Sequence, residues 1–135
     1  MWAVPIAGSE WRHFRLMNSP FNARGVSYED IVRATPIEHS EVFHFEEVVE
    51  RGGHSTYMLI MKADDRRVSA YWNLLEKIGC TYEGTDTYWD GEQRPLFSVD
   101  VPPSTDLDEV NEILERGEKD AVWIFQDGYV YLPKA

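Results

Sequence analysis

The first third of the chain alternates between apolar and polar positions with a period of two. Trp2–Ile6 reads as a short strand ended by Ala7-Gly8-Ser9. Trp11–Met17 sets Trp11, His13 and Arg15 against Arg12, Phe14 and Leu16, the pattern of a half-buried strand. Asn18-Ser19-Pro20 and Asn22–Gly25 are turn material. Tyr28–Thr35 runs into Pro36 and reads as a short strand, or as one helical turn before a strand. Glu41–Glu50 alternates again, and Arg51-Gly52-Gly53 turns the chain. These elements predict a small, strongly bent antiparallel sheet.

A different rhythm follows. Ser55–Met61 is a strand of β-formers. Asp64 or Asp65 is placed to cap a helix whose apolar positions are Val68, Tyr71, Trp72, Leu75 and Ile78, all on one helical face. Gly79 is placed to end it in the left-handed conformation. Cys80–Glu83 reads as a short strand, Gly84–Pro95 as a polar, aromatic loop, and Leu96–Val101 as a strand stopped by Pro102-Pro103. Ser104 or Thr105 caps a second helix with Leu107, Val110, Ile113 and Leu114 inward and Asp106, Asp108 and Glu109 in its first turn, where the helix dipole favours them. Gly117 ends it. Ala121–Phe125 and Tyr129–Leu132 read as a closing strand pair around an Asp127-Gly128 turn.

The fold class that follows is α+β. Residues 1–53 form a small antiparallel β lobe, sheet or barrel-like. Residues 54–135 follow the order β-α-β-β-α-β of the ferredoxin-like split βαβ pattern. The Arg51–His54 junction is too short to separate independent domains, so one domain of two packed lobes is expected.

Composition narrows the function classes. At 135 residues and 43% hydrophobic, the chain carries enough apolar matter for a real core. One cysteine, Cys80, excludes an internal disulfide and fits a reducing cytoplasm. No run approaches the roughly 18 apolar residues of a membrane span, and Met1 to Glu10 lacks the marks of a signal peptide. Net charge is −11. Residues 1–78 carry 11 acids and 9 bases and residues 79–135 carry 13 acids and 4 bases, so the imbalance sits in the second part. Such a field repels phosphate backbones, argues against direct nucleic-acid binding, and speeds encounter with a basic protein. Solubility alone is the plainer account of the same charge.

Candidate chemistry is sparse. Gly52-Gly53-His54-Ser55-Thr56 lacks the phosphate-loop pattern and precedes a strand, so it reads as a turn. His54, Ser55 and Cys80 would supply a base and nucleophiles, but no nucleophile elbow or cysteine-protease signature surrounds them. His39 and His44 are five apart, a spacing that matches no helical metal-ligand pair. No catalytic residue, metal ligand or cofactor is assigned. The most informative segment is Tyr82–Glu92, where Tyr82, Tyr88 and Trp89 are interleaved with Glu83, Asp86, Asp90 and Glu92. Aromatic anchors ringed by charge are the chemistry of a protein-binding hot spot. The alternative is a loop whose aromatics fold back onto the core.

Several phrases resemble one family: Trp2-Ala3-Val4-Pro5, Phe21 with Gly25–Val32, Glu47–Thr56, Leu75 through Gly79–Gly84, and Val99-Asp100-Val101-Pro102. It is a family of small bacterial proteins catalogued as domain of unknown function four-two-six-five. The resemblance covers nearly the whole chain. It implies a bacterial, cytosolic, single-domain protein and supplies no reaction, cofactor or catalytic residue. By looser association it implies an immunity protein beside a polymorphic toxin. Where a short turn is expected after Thr85-Asp86, this chain inserts roughly Thr87–Pro95, an elaboration suited to partner-specific recognition.

Two readings follow. The first is an immunity protein that blocks a basic toxin domain through Tyr82, Glu83, Asp86, Tyr88, Trp89, Asp90 and Glu92. Failing that surface, the contact belongs on the N-terminal sheet around Arg12, Arg15 and Arg24. The second is an enzyme or small-ligand binder with a site near His54, where the lobes meet.

Overall fold

The fold is taken from a computed structural model that describes residues 3–9, 12–21, 25–38 and 43–132. The expectations for Trp2, Trp11, Arg24, His39 and the start of the Glu41–Glu50 strand lie outside the described residues. Among the described residues the architecture is α+β, with two four-stranded antiparallel sheets and two helices.

The first sheet is a meander of β1 (Ala3–Pro5), β2 (His13–Leu16), β3 (Ile31–Pro36) and β4 (Phe43–Glu50), in chain order. Its core is Phe14, Leu16, Val26, Val32 and Ala34, with Val48 packed against it. β3 starts later than the sequence pattern suggests because Tyr28 and Glu29 lie in a turn, with Glu29 at φ +64°. Two register shifts against β4 bend the sheet.

The second sheet is built from β5 (Ser55–Met61), β6 (Thr81–Trp89), β7 (Glu92–Val101) and β8 (Trp123–Tyr129), in the order β6-β7-β5-β8. Helix α1 (Asp65–Lys77) joins β5 to β6, and α2 (Leu107–Lys119) joins β7 to β8. Because strand side chains alternate, Tyr57, Leu59, Met61, Val99 and Val101 share one face, and they join Val68, Trp72, Leu75, Val110 and Leu114 of the helices in one apolar cluster. Ile78 and Ile113, expected fully inside, are partly buried at its rim. Among the described residues no helix is long and apolar enough to cross a membrane.

Four local expectations are corrected. The Gly84–Pro95 loop is instead the far part of a long β6–β7 hairpin, paired from Thr81↔Asp100 to Trp89↔Glu92. Asp127-Gly128 is not a turn: β8 runs straight through it, and a register shift between Thr56 and Tyr57 accommodates Gly128 as the extra residue of a bulge. The second helix is capped by the Asp106 carboxylate, which accepts from the Asp108 N–H at 2.9 Å, while Thr105 donates its hydroxyl to the Ile78 carbonyl instead. Gly117 does not end that helix.

Gly117 lies within α2 because a large side chain occupies its place. A Cβ there would stand 2.4 Å from Cε2 of Trp123, whose indole is fully buried and donates to the Leu114 carbonyl at 3.0 Å. The first helix, by contrast, ends as expected, with Asp64 capping its start and Gly79 at φ +105° just past its end.

The indole is fixed by its own hydrogen bond, so it has no room to yield. Gly117→Ala therefore destabilises the fold by about 1–3 kcal/mol from overpacking, overriding the roughly 1 kcal/mol that alanine gains over glycine in a helix. Urea melts of the two proteins check the sign. A stabilised variant would show that the contact is not rigid.

Candidate protein-binding site

The β6–β7 hairpin carries the predicted surface. Its turn is Asp90-Gly91, with φ of +54° and +76°. Two consecutive positive-φ residues make the type I′ turn that matches the twist of a hairpin, which is why aspartate and glycine stand there. Beyond Leu96, the last β7 residue paired with β5, residues 92–95 pair with β6 alone. The distal end is thus a two-stranded ribbon extending past the four-stranded sheet.

Along the ribbon, alternation sorts the side chains. Tyr82, Gly84, Asp86 and Tyr88 face the helix side. Thr81, Glu83, Thr85, Thr87 and Trp89 face the other. Tyr82 stacks on Phe97 with ring centroids 4.0 Å apart and meets the edge of Trp72 at 4.7 Å, yet it remains 45% exposed. Tyr88 is 77% exposed and Trp89 46%. Trp89 borders a hollow of about 120 Å³ lined by Met58, Ile60, Thr87, Leu96 and Ile124 among others. The two tip aromatics therefore sit on opposite faces of the ribbon. Glu83, Asp86, Asp90 and Glu92 are all exposed.

Between Thr81 and Val101 the only base is Arg94. It is held down, donating to Glu92 at 2.8 Å and to the Met61 carbonyl at 3.3 Å, where it ties the ribbon's base to the end of β5. The exposed part of the hairpin is left with its negative charge uncompensated. Sequence reasoning found the aromatics and acids but missed the ribbon, although Asp90-Gly91 between β-forming residues signalled it.

The junction near His54 has another character. His54 Nδ1 lies 2.8 Å from Asp100 Oδ1 and Nε2 lies 3.2 Å from Glu29 Oε2. Both ring nitrogens thus face carboxylates, and neither bonds Ser55 or Cys80. Ser55 is buried, and its hydroxyl accepts the Tyr131 N–H at 2.9 Å. Thr56 donates to the Ser27 hydroxyl at 2.7 Å, and the Ser19 and Ser98 hydroxyls meet at 2.7 Å. Asp30 is completely buried and accepts from the Ser27 and Gly52 N–H groups, each at 2.9 Å, and from Arg51 at 3.1 Å. Arg51 also donates to the Gly25 carbonyl and lies 3.7 Å over the Tyr129 ring. Of these contacts, Thr56–Ser27, Ser98–Ser19, His54–Glu29 and Arg51–Tyr129 fasten the N-terminal part to the second sheet. Beside them lies a hollow of about 170 Å³ lined by Arg15, Glu29, Ile31, Glu50, Arg51 and Gly52, of mixed charge. His44 is exposed on β4.

Residues 1–125 match the family described as Domain of unknown function (DUF4265). The chain belongs to that family. No curated protein matches it. It is similar in fold to a solved structure described as a novel crystal structure of a hypothetical protein from Neisseria gonorrhoeae. The TM-score is 0.63, with 14% identity over 97% of this chain and 84% of that one. At that identity the likeness speaks of fold alone.

Two titrations follow from the junction. Burial pushes the Asp100 carboxyl up, and the charge and hydrogen bond of His54 oppose it. A carboxyl raised in the folded state favours the native protein only while protonated. Its contribution is therefore full below the unfolded value of about 3.9 and is lost as pH rises through the folded one. The stability of the wild type relative to Asp100→Asn should fall as pH is raised from about 4, as measured by paired denaturant melts. A rise would mean that the His54 interaction dominates burial.

Burial, reinforced by the Asp100 charge, pushes the Cys80 thiol up to about 12. A disulfide reagent near pH 8 should label Cys80 only when the protein is unfolded. Rapid labelling of the native protein would contradict its burial.

Proposed function

We propose that the chain is an acidic binding protein, specifically an immunity protein that neutralises a basic toxin domain by holding it at the end of the β6–β7 ribbon. The observation that carries this reading is the exposure of Tyr88 and Trp89 at the tip of the hairpin, among Asp86, Asp90 and Glu92 with no free base beside them in the hairpin. Large aromatics left in water at a defined position are available to fill a partner's pockets, and the surrounding acids steer a basic partner toward them. Trp89 is 46% exposed and borders the hollow that Ile60 and Ile124 also line, so a partner side chain could enter beside it.

The second half is read as a ferredoxin-like lobe. The strand order β6-β7-β5-β8, antiparallel neighbours and helices after the first and third strands support that assignment. It makes the ribbon an extension of the lobe's central hairpin, built on a sheet instead of a loose loop.

The test is surface kinetics against the cognate partner, to be isolated by pull-down from the native cell or sought among the products of adjacent genes. Association should slow steeply as salt rises past about 0.15 M, where the screening length is roughly 8 Å. Trp89→Ala should mainly speed dissociation and cost about 2 kcal/mol or more. Neutralising Asp86, Asp90 and Glu92 together should slow association more than it speeds release. Binding insensitive to salt and to Trp89→Ala would remove the ribbon as the interface and direct attention to Arg12 and Arg15 on the N-terminal sheet.

A further inference from the structure

β6 lies at the edge of its sheet, and eight of its nine residues are exposed. An edge strand offers unpaired backbone groups, and natural proteins commonly blunt such edges with lysine, proline or a bulge. β6 has none of these: Thr81–Trp89 contains no Lys, Arg or Pro, and its pairing with β7 is uninterrupted over nine residue pairs. The charges it does carry, Glu83 and Asp86, guard the edge against another acidic strand but not against a basic one.

The type I′ turn decides which groups are free. In a two-residue hairpin the flanking pair, here Trp89 and Glu92, exchanges both backbone hydrogen bonds, and bonded and non-bonded pairs then alternate. Thr81, Glu83, Thr85, Thr87 and Trp89 thus spend their N–H and C=O groups on β7. Those of Tyr82, Gly84, Asp86 and Tyr88 point outward. Pro95 agrees with this phase: it stands opposite Asp86 in a non-bonded pair, where β6 needs no N–H from it.

A hollow of about 340 Å³ lies beside this edge, between α1 and β6, lined by Trp72, Glu76, Gly79, Cys80, Thr81 and Tyr82. A strand added along β6 would place alternate side chains on the helix side, next to Tyr82, Asp86 and Tyr88 and over this hollow. Two aromatic rings and the Glu76 carboxylate suit a long side chain with an apolar stem and a cationic head.

We infer that the outer edge of β6 takes an extended basic segment of the partner as an added strand, with a lysine or arginine seated between Trp72, Tyr82 and Glu76. The inference rests on the binding reading above and gives it a mode: main-chain pairing supplies affinity, and alternate basic side chains supply specificity. A second copy of this chain is a poorer occupant, since two β6 edges would bring Glu83 and Asp86 together with Glu83 and Asp86 and no base between them.

The probe is a synthetic peptide of roughly ten residues that alternates lysine and valine, titrated at low salt into the isotope-labelled protein. Amide exchange at Tyr82, Gly84, Asp86 and Tyr88 should slow about tenfold or more at saturation, in strict alternation with Glu83, Thr85 and Thr87, which are protected already. Gly84→Pro removes one outward N–H without changing charge and should weaken binding about tenfold. Gly84→Ala should bind as wild type, because its Cβ meets nothing nearer than 3.5 Å. Glu76→Gln, an exposed helix position, should weaken binding with no loss of fold.

Three results would overturn the inference: no binding of the peptide, binding without the alternating protection, or equal binding by a folded Gly84→Pro. Binding of the cognate protein that depends on Trp89 but is untouched by Gly84→Pro would leave the proposed function standing and remove the strand addition. Alternating protection by the peptide with no cognate binding would keep the edge and remove the immunity reading.

Discussion

The structure depends on how the outer face of the second sheet is covered where it is polar. Both helices pack on the other face, so Thr56, Ser98 and Asp100 would stand on an open β surface. They are instead buried, each with a partner: Ser27, Ser19 and His54 respectively. A buried polar group without a partner costs about 1–3 kcal/mol, so the bonds of Thr56 to Ser27 and of Ser98 to Ser19, with that of His54 to Glu29, fix how the N-terminal residues lie on this face. Asp30 ties the N-terminal part together beneath this face by drawing Ser27, Arg51 and Gly52 around one buried carboxylate. Gly52 allows the approach: a Cβ there would lie 2.6 Å from the Glu29 carbonyl oxygen.

That arrangement separates the two regions that sequence suggested for function. The chemistry-bearing residues near His54 are taken up by structural contacts. Ser55 and Cys80 are buried, and His54 is held between two acids. The aromatic and acidic residues of the ribbon have no such duty. Arg94 anchors its base, the Asp90-Gly91 turn fixes its end, and Tyr88 reaches into water.

The helices were legible because burial on one side leaves a periodic trace: Val68, Trp72 and Leu75, and Val110 and Leu114, repeat on one helical face. The ribbon was not, because a strand with both faces in water needs no alternation, and Thr-Asp-Thr between Gly84 and Tyr88 reads as loop. The two Asp-Gly pairs make the same point. Asp90-Gly91 takes positive φ and turns the chain, whereas Gly128 packs against Thr56, receives the Gly25 N–H at 2.8 Å, and stays within a strand. Gly117 was misread as a helix stop because the indole that fills its place lies six residues away, on the next strand. The site was legible as residues, Tyr82 to Glu92, but not as geometry. Opposite faces for Tyr88 and Trp89 follow from pairing that only the fold reveals.

Residues 92–95 pair with β6 and with no third strand. Few of the ribbon's distal side chains are needed to keep the remainder folded, so their replacement carries little penalty for the protein's survival. A lineage can therefore explore new tips by drift while keeping the scaffold. Under the proposed binding function, a changed partner would be met by turnover at Thr87–Glu92, and the polar seam at Asp30, His54 and Asp100 would be the part that such turnover leaves untouched.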